Sequence, residues 1–203
     1  MEEILIPDTS RHGVATYDIL LDNVAINPAY QVIGIVMNKE INRIPTAKIV
    51  IRDGEAADRT FAISNTNDLV PGKKIIIQLG RDGQNTQVFK GIITKHAVKV
   101  KENGNTELHI ECKDEVVRMA IGRKSRYYEN IKDSELFDEL IARYPGLQAD
   151  VQSTSITHKE LVQHHISDWD FMLLRAEANS MLVQVNDGRI TIAKPDTSPE
   201  PVL

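Results

Sequence analysis

Residues 87–112 read QVFKGIITKHAVKVKENGNTELHIEC, two runs rich in apolar and β-branched residues on either side of the pair Asn103-Gly104. A two-residue type I′ turn needs a positive φ at both central positions, and Asn-Gly adopts that conformation with little strain. The stretch therefore predicts a β-hairpin that joins residues 94–101 to residues 106–112.

The same pattern continues towards the N-terminus, where short apolar runs are separated by turn residues and show no helical period. Asp53-Gly54 and Asp82-Gly83 mark two further turns. Strands that follow one another without intervening helices favour an antiparallel sandwich or barrel over a parallel α/β sheet. We therefore predict an antiparallel, barrel-like β domain over residues 1–112. Its candidate strands are 17–24, 30–37, 46–51, 73–79, 87–95 and 106–112.

After Cys112 the pattern changes, and three helical segments are predicted, each opened by a capping residue. The capping residues are Asp114, Asp133 and Ser167. The first helix should end at Gly122, and the second should stop before Pro145. Together these segments define an α+β domain over residues 113–180. The whole chain is thus predicted to be a β-rich α+β protein.

The end of the chain returns to strands. Residues 181–186 and 189–193 flank Asp187-Gly188, which predicts another hairpin. Residues 195–201, PDTSPEP, can neither pair within a sheet nor continue a helix, so we expect a linker or strap there. We also expect the natural protein to continue beyond Leu203.

The composition disfavours several classes of partner and compartment. The chain has 24 Lys and Arg against 29 Asp and Glu, a net charge of -5, which is the wrong sign for a surface that must hold phosphate. Nucleic acid is therefore not an expected partner. Residues 1–7, MEEILIP, lack the features of a secretory signal, and no stretch approaches the ~18 apolar residues of a membrane span. We expect folding in a reducing cytoplasm.

Candidates for catalysis are few. The eleven glycines are scattered singly at turns, so no glycine-rich phosphate loop precedes a helix. No G-x-S-x-G or S-x-x-K motif is present. Cys112 falls on the apolar side of an alternating run, and its acidic neighbours Glu111, Asp114 and Glu115 would not activate a thiolate. We interpret Cys112 as a buried apolar residue and expect no cofactor.

Metal binding and acid–base chemistry each have one weak candidate group. His158, His164 and His165 are near one another in sequence, but their spacing lacks the i, i+4 geometry of a helical metal pair. Packed or solvated histidines are favoured over a zinc site. Asp168 and Asp170 could form a carboxylate pair, but acidic residues in a first helical turn favour capping. We predict no catalytic, cofactor-binding or metal-binding residue.

One cluster of positive charge carries aromatic residues beside it, as nucleic-acid sites often do. It consists of Arg118, Arg123, Lys124 and Arg126, followed by Tyr127 and Tyr128. Cations that follow a helix are favoured by its dipole, so a solvated edge or a subunit contact is the preferred interpretation. An acidic neighbouring subunit would be its first candidate partner.

Residues 162–179, VQHHISDWDFMLLRAEAN, are similar to the VQ-x-x-x-SDWDF-x-x-x-x-AE motif of VgrG spike proteins and related phage tail-hub proteins. Four further stretches resemble the same family in their order and spacing, and the resemblance covers nearly the whole chain. They are residues 38–47 (NKEINRIPTA), 70–73 (VPGK), 89–92 (FKGI) and 121–125 (IGRKS).

This resemblance implies a structural hub at the base of the membrane-puncturing spike of a contractile injection apparatus, similar to type VI secretion. Three copies of the full-length protein would form a ring that docks on the inner tube and carries the spike. Expected partners are sister copies, the inner-tube protein, baseplate subunits and, as further candidates, secreted effectors. The target membrane would be contacted only through the distal spike.

The resemblance further implies assembly in the cytoplasm and delivery outside the cell without a signal peptide. Residues 181–203 would then begin a truncated second barrel. Two other functions stay open: a spike-associated cell-wall hydrolase whose enzyme lies beyond Leu203, and a stand-alone ligand-binding β domain. For the latter, four Phe, five Tyr and one Trp leave few aromatic residues to line a site.

Overall fold

The computed structural model describes residues 13–55, 61–101 and 105–196. The first half of the described chain consists of strands β1 (Ala15–Leu21), β2 (Val24–Ala25), β3 (Val32–Asn38), β4 (Thr46–Glu55), β5 (Lys74–Arg81), β6 (Gln84–Val100) and β7 (Asn105–Lys113). The second half consists of a 3₁₀ helix (Glu115–Ala120), β8 (Lys124–Lys132), α1 (Asp133–Ala142), β9 (Gln148–Val151), β10 (Thr157–Ile166), α2 (Asp168–Ala178), β11 (Leu182–Asn186) and β12 (Arg189–Ala193). The predicted turn at Asn103-Gly104, residues 1–7 and most of the predicted strap lie outside these ranges.

The first half forms one antiparallel sheet in the order β2-β1-β5-β6-β7-β4-β3. The predicted hairpin is confirmed as β6 and β7, with Val100 opposite Thr106. Alternate residues of the central strands point into a single apolar core, because side chains along a strand alternate between its faces. Fully buried members of this first core include Ile49, Ile77, Phe89, Leu108 and Ile110.

The second half surrounds another core. β8 and β10 form an antiparallel pair, and β11, β12 and β9 form a second small sheet in which β9 runs parallel to β12. The apolar faces of α1 and α2 pack between them, and fully buried members of this second core include Leu136, Phe137, Met172, Val183 and Ile190. The α+β, β-rich fold class is therefore as predicted.

The predicted 181–193 hairpin forms as β11 and β12, with Asn186 opposite Arg189. Val183 and Ile190 of this hairpin lie in the second core together with both helices, and β12 also pairs with β9. A hairpin pattern cannot indicate that pairing, since it reports only the local turn. That residues 181–203 begin a second barrel stays a prediction.

The first predicted helix is shorter and tighter than expected. Residues Glu115–Ala120 form a 3₁₀ helix, which Asp114 caps by accepting a hydrogen bond from the Val116 N–H at 2.9 Å. Gly122 then adopts a φ of 77°, in agreement with its predicted role as a terminator. No helix in the described ranges is both long and apolar enough to cross a membrane.

Gly91, in the FKGI stretch, lies where β6 passes the end of β7. A Cβ atom at this position would overlap the backbone carbonyl of Lys113, which cannot move without breaking the ladder. We expect Gly91→Ala to lower the free energy of unfolding by about 2 kcal/mol, the scale of an overpacked core. Urea denaturation measures this. Gly34→Ala is the matched control, because its Cβ would meet no atom within 4 Å, and an equal loss in both variants would contradict the steric explanation.

Candidate functional site

Cys112 faces the first core and is 1% exposed, as the alternating pattern predicted. Burial, with a smaller contribution from the negative charge of Glu111, raises the pKa of its thiol to about 12. The side chain is therefore an uncharged thiol at neutral pH and acts as a small core residue.

The three histidines near one another in sequence do not converge in space. The Nε2 atom of His158 lies 2.8 Å from the Asp133 carboxylate and 3.1 Å from Arg175. His164 and His165 are exposed, and the His165 N–H donates to the hydroxyl of Ser125 at 3.1 Å. Among the described residues, no three His, Cys, Asp or Glu side chains are grouped closely enough to hold a metal ion.

The two aspartates of the SDWDF segment have different environments. Ser167 caps α2, because its hydroxyl oxygen accepts the Asp170 N–H at 3.1 Å while its O–H donates to the Asp170 carboxylate at 2.6 Å. Asp170 thus takes part in the predicted capping. Asp168 does not, since its carboxylate is fully buried and turned into the second half of the protein.

Asp168 is the centre of a buried polar network. Its carboxylate accepts hydrogen bonds from the Lys124 ammonium at 2.5 Å, the Tyr144 hydroxyl at 2.7 Å and the Gln163 amide at 2.8 Å. Burial alone would raise the pKa of Asp168, but these hydrogen bonds outweigh it and lower the pKa below its usual value. The charged carboxylate therefore joins the start of α2 to β8, β10 and the segment after α1.

Asp133 is the centre of a second network, and the expectation that it caps α1 is wrong. Its carboxylate accepts two hydrogen bonds from Arg175, at 2.6 and 2.9 Å, and one from the Asn179 amide at 2.9 Å. Burial opposes ionisation, but Arg175, Asn179 and His158 lower the pKa of Asp133 to about 2. The cap of α1 is provided by Glu135, which accepts the Lys132 N–H at 2.9 Å.

The predicted basic cluster divides into separate roles. Lys124 belongs to the Asp168 network, and Arg118 donates to the carbonyl oxygen of Pro145 at 2.8 Å. Arg123 and Arg126 are exposed, as expected for a solvated edge. The two tyrosines also differ: Tyr127 is exposed, whereas Tyr128 is buried and stacks on Phe171 with ring centres 6.2 Å apart.

The turn between β11 and β12 attaches the second half to the first sheet. The Asp187 carboxylate accepts the backbone N–H of Lys90 at 3.0 Å and the Gln87 side-chain amide at 2.7 Å. The next residue, Gly188, donates its N–H to Asp114 at 3.0 Å. The Asp-Gly pair that indicated a hairpin in the sequence therefore also links the two halves.

Residues 38–47, one of the stretches that resemble spike proteins, form further contacts between the two halves. Asn42 and Val183 exchange two hydrogen bonds, each 2.8 Å long. The Lys39 ammonium donates to the Asn186 side chain at 2.6 Å, and Ile44 packs against the second core. Trp169 of the SDWDF segment borders the cleft beneath this loop. We call the contacts of residues 38–47 and 183–188 the interdomain junction.

Sequence reasoning missed the roles of Asp133, Asp168 and Lys124 because their partners are distant along the chain. The capping residues nevertheless gave one indication of the roles of the two aspartates. Ser167 already caps α2 and Glu135 already reaches back to cap α1. Both aspartates occupy the first position of a capped helix, so their carboxylates are free to bind elsewhere.

Solved structures at low sequence identity share the fold of this chain. A 43 kDa tail protein of prophage MuSo2 from Shewanella oneidensis matches with a TM-score of 0.68 at 8% identity, over 88% of this chain and 53% of that protein. A tail protein from Neisseria meningitidis MC58 matches with a TM-score of 0.67 at 14% identity, over 93% of this chain and 53% of that protein.

A third structure is an E. coli component of the type VI secretion system, which is structurally similar to the T4 bacteriophage tail proteins gp27 and gp5. It matches with a TM-score of 0.62 at 9% identity, over 86% of this chain and 47% of that protein. The chain thus has a phage tail-hub-like fold and spans about half the length of these proteins.

The sequence comparisons identify the family. No curated protein matches the chain. The family model of the Alg8 N-terminal domain matches residues 11–203. The chain belongs to the Alg8 N-terminal domain family.

Replacing Asp133 with Asn should be strongly destabilising, because Arg175 would keep its charge in a half-buried position without a carboxylate partner. Removing one partner of a buried pair costs about 3 kcal/mol or more. Urea denaturation at pH 7 measures the loss. Asp138→Asn, on the exposed face of α1, is the control and should leave stability nearly unchanged.

The loss of stability in Asp133→Asn should depend on pH. The folded-state pKa of Asp133 is about 2, below the roughly 3.9 of an unfolded aspartate. Its stabilising contribution is therefore complete above that unfolded value and is lost as the pH falls through the folded value. The difference between wild type and Asp133→Asn should shrink as the pH falls from about 5 towards 2, and a constant difference would contradict the ion-pair explanation.

Asp187→Ala should weaken the coupling between the two halves, because it removes both hydrogen bonds from the Asp187 side chain to β6. Scanning calorimetry tests this. We expect the van't Hoff enthalpy to fall below the calorimetric enthalpy, the sign that two units unfold separately. Asp138→Ala serves as the control, and an unchanged single transition in Asp187→Ala would show that the turn does not couple the halves.

Proposed function

We propose that this chain is a structural hub piece at the base of the spike in a contractile injection apparatus similar to type VI secretion, where it links the inner tube to the spike. The observation that carries the proposal is its similarity of fold to phage tail proteins over most of its length. The SDWDF segment and the 38–47 stretch support it, since both meet at the interdomain junction.

A part that transmits force must keep its two halves in a constant orientation. The interdomain junction suits this task, because directional hydrogen bonds from Asp187 and Asn42 resist rotation better than an apolar contact of the same area. In the proposed assembly the full-length protein is a homotrimer. Its partners are the inner-tube protein, baseplate subunits and secreted effectors, and assembly takes place in the cytoplasm before delivery outside the cell.

We further propose that the role is structural rather than catalytic. The two buried carboxylates, Asp133 and Asp168, each accept several hydrogen bonds within the fold and have lowered pKa values. A general acid would need the opposite, a raised pKa and access to substrate. A purified chain that hydrolyses peptidoglycan would overturn this part of the proposal.

The direct test of the hub role is whether particles require this protein and where the protein lies in them. Deleting its gene in the organism that encodes it should abolish assembled injection particles, as judged by electron microscopy of cell lysates. Expression of the wild-type gene should restore them, and antibodies to the chain should then label one end of each tube. Normal particles in the deletion strain, or label along the sheath, would contradict the hub role.

A further inference from the structure

The outer face of the first sheet carries an ordered pattern of charge. Leu108, Ile110 and Cys112 of β7 point into the first core, so the residues between them, Glu107, His109 and Glu111, point outward. Neighbouring strands extend this pattern on both sides, because each outward residue of β7 is paired with one on β4 and one on β6.

Two rows of long charged side chains cross the sheet at right angles to the strands. In the first row, Glu111 lies between Lys48 and Lys95. In the second row, Glu107 lies between Arg52 and Lys99. Each row thus places two cations around one carboxylate.

Between these rows lies a row of short side chains. His109 of β7 is paired with Val50 of β4 and Ala97 of β6, and Val50 is paired in turn with Gly34 of edge strand β3. A Cβ added to Gly34 would meet no atom within 4 Å, so the space above this end of the row is open. We call these three rows the His109 face.

The positive charges of the His109 face exceed what its carboxylates neutralise. Glu111 pairs with Lys95 at 3.1 Å, and Glu107 pairs with Lys101, which follows β6. Lys48, Arg52 and Lys99 have no ion pair among the described residues. The face is therefore locally basic on a chain whose net charge is -5.

His109 lies in the middle of the face and is held there by Glu107. The residue is only 8% exposed, and its Nε2 atom lies 3.0 Å from the Glu107 carboxylate. Because a carboxylate only accepts, the proton is on Nε2. The buried Nδ1 atom has no hydrogen-bond partner within the described ranges. The protein itself covers Nδ1, so His109 forms part of the floor of the face and is not a contact for a ligand.

We propose that the His109 face binds an acidic polypeptide segment of a partner protein. Carboxylates of that segment would pair with Lys48, Arg52 and Lys99, while its backbone would lie over the row of short side chains. A polypeptide supplies both the carboxylates and the uncharged backbone that these rows would accommodate.

Nucleic acid fits this face less well. A phosphate backbone carries a negative charge at every nucleotide, so it would also meet Glu107 and Glu111 in the middle of each charged row, at a cost in repulsion. A peptide can instead place uncharged residues over these two carboxylates. The proposal rests on this face alone and does not require the hub role.

Fluorescence anisotropy with a labelled 12-residue peptide of alternating Glu and Ser tests the proposal at low salt. We expect saturable binding that weakens as salt rises, and about tenfold weaker binding by the Lys48→Glu, Lys99→Glu double variant. The Lys159→Glu, Lys194→Glu double variant changes the net charge equally at two exposed lysines elsewhere and should bind within about twofold of wild type.

Circular dichroism establishes that each variant is folded. Absence of saturable peptide binding, or equal weakening by both lysine pairs, would overturn the proposal. So would a 12-nucleotide single-stranded DNA that binds the His109 face at least as tightly as the peptide does.

Discussion

The negative charge of Asp168 is buried where no solvent reaches it, and an unpaired charge there would cost several kcal/mol. Lys124, Tyr144 and Gln163 must therefore stay in place for the second half to fold around it. Asp133 imposes the same condition at the other ends of the helices, where it joins the start of α1 to the end of α2. Each helix is therefore held at both ends by hydrogen bonds to Asp133 or Asp168, and the second core lies between these two networks.

The junction between the halves follows a different principle from the cores. Each core is apolar and tolerates small shifts of its side chains, whereas the interdomain junction consists largely of hydrogen bonds with defined directions. Asp187 binds a backbone N–H of β6, and Asn42 pairs with the backbone of Val183. The relative orientation of the halves therefore depends on few groups, and the side chains that accept these hydrogen bonds, Asp187 and Asn42, come from turns.

Local features of the fold could be predicted from the sequence. The Asn103-Gly104 signal indicated the pairing of β6 with β7, alternation indicated the burial of Cys112, and Ser167 indicated the start of α2. Each of these depends on residues only a few positions apart, so the physical cause is visible in the sequence itself.

Features that depend on distant residues could not be predicted in this way. The parallel pairing of β9 with β12 joins residues about forty positions apart, as does the contact of Asp133 with Arg175. Residues Glu115–Ala120 form a 3₁₀ helix, whereas the capping pattern indicated only that a short helix begins there. The orphaned Nδ1 of His109 likewise arises only from the strands that flank it.

The parallel pairing of β9 with β12 also sets an order of events during synthesis. The first sheet has all of its strands once Lys113 has left the ribosome, so it can form while the rest of the chain is still being made. The second core, in contrast, lacks the partner of β9 until Ala193 has emerged. Residues 114–193 must therefore emerge before the second core can close, and Asp187, whose turn binds β6, is among the last of them.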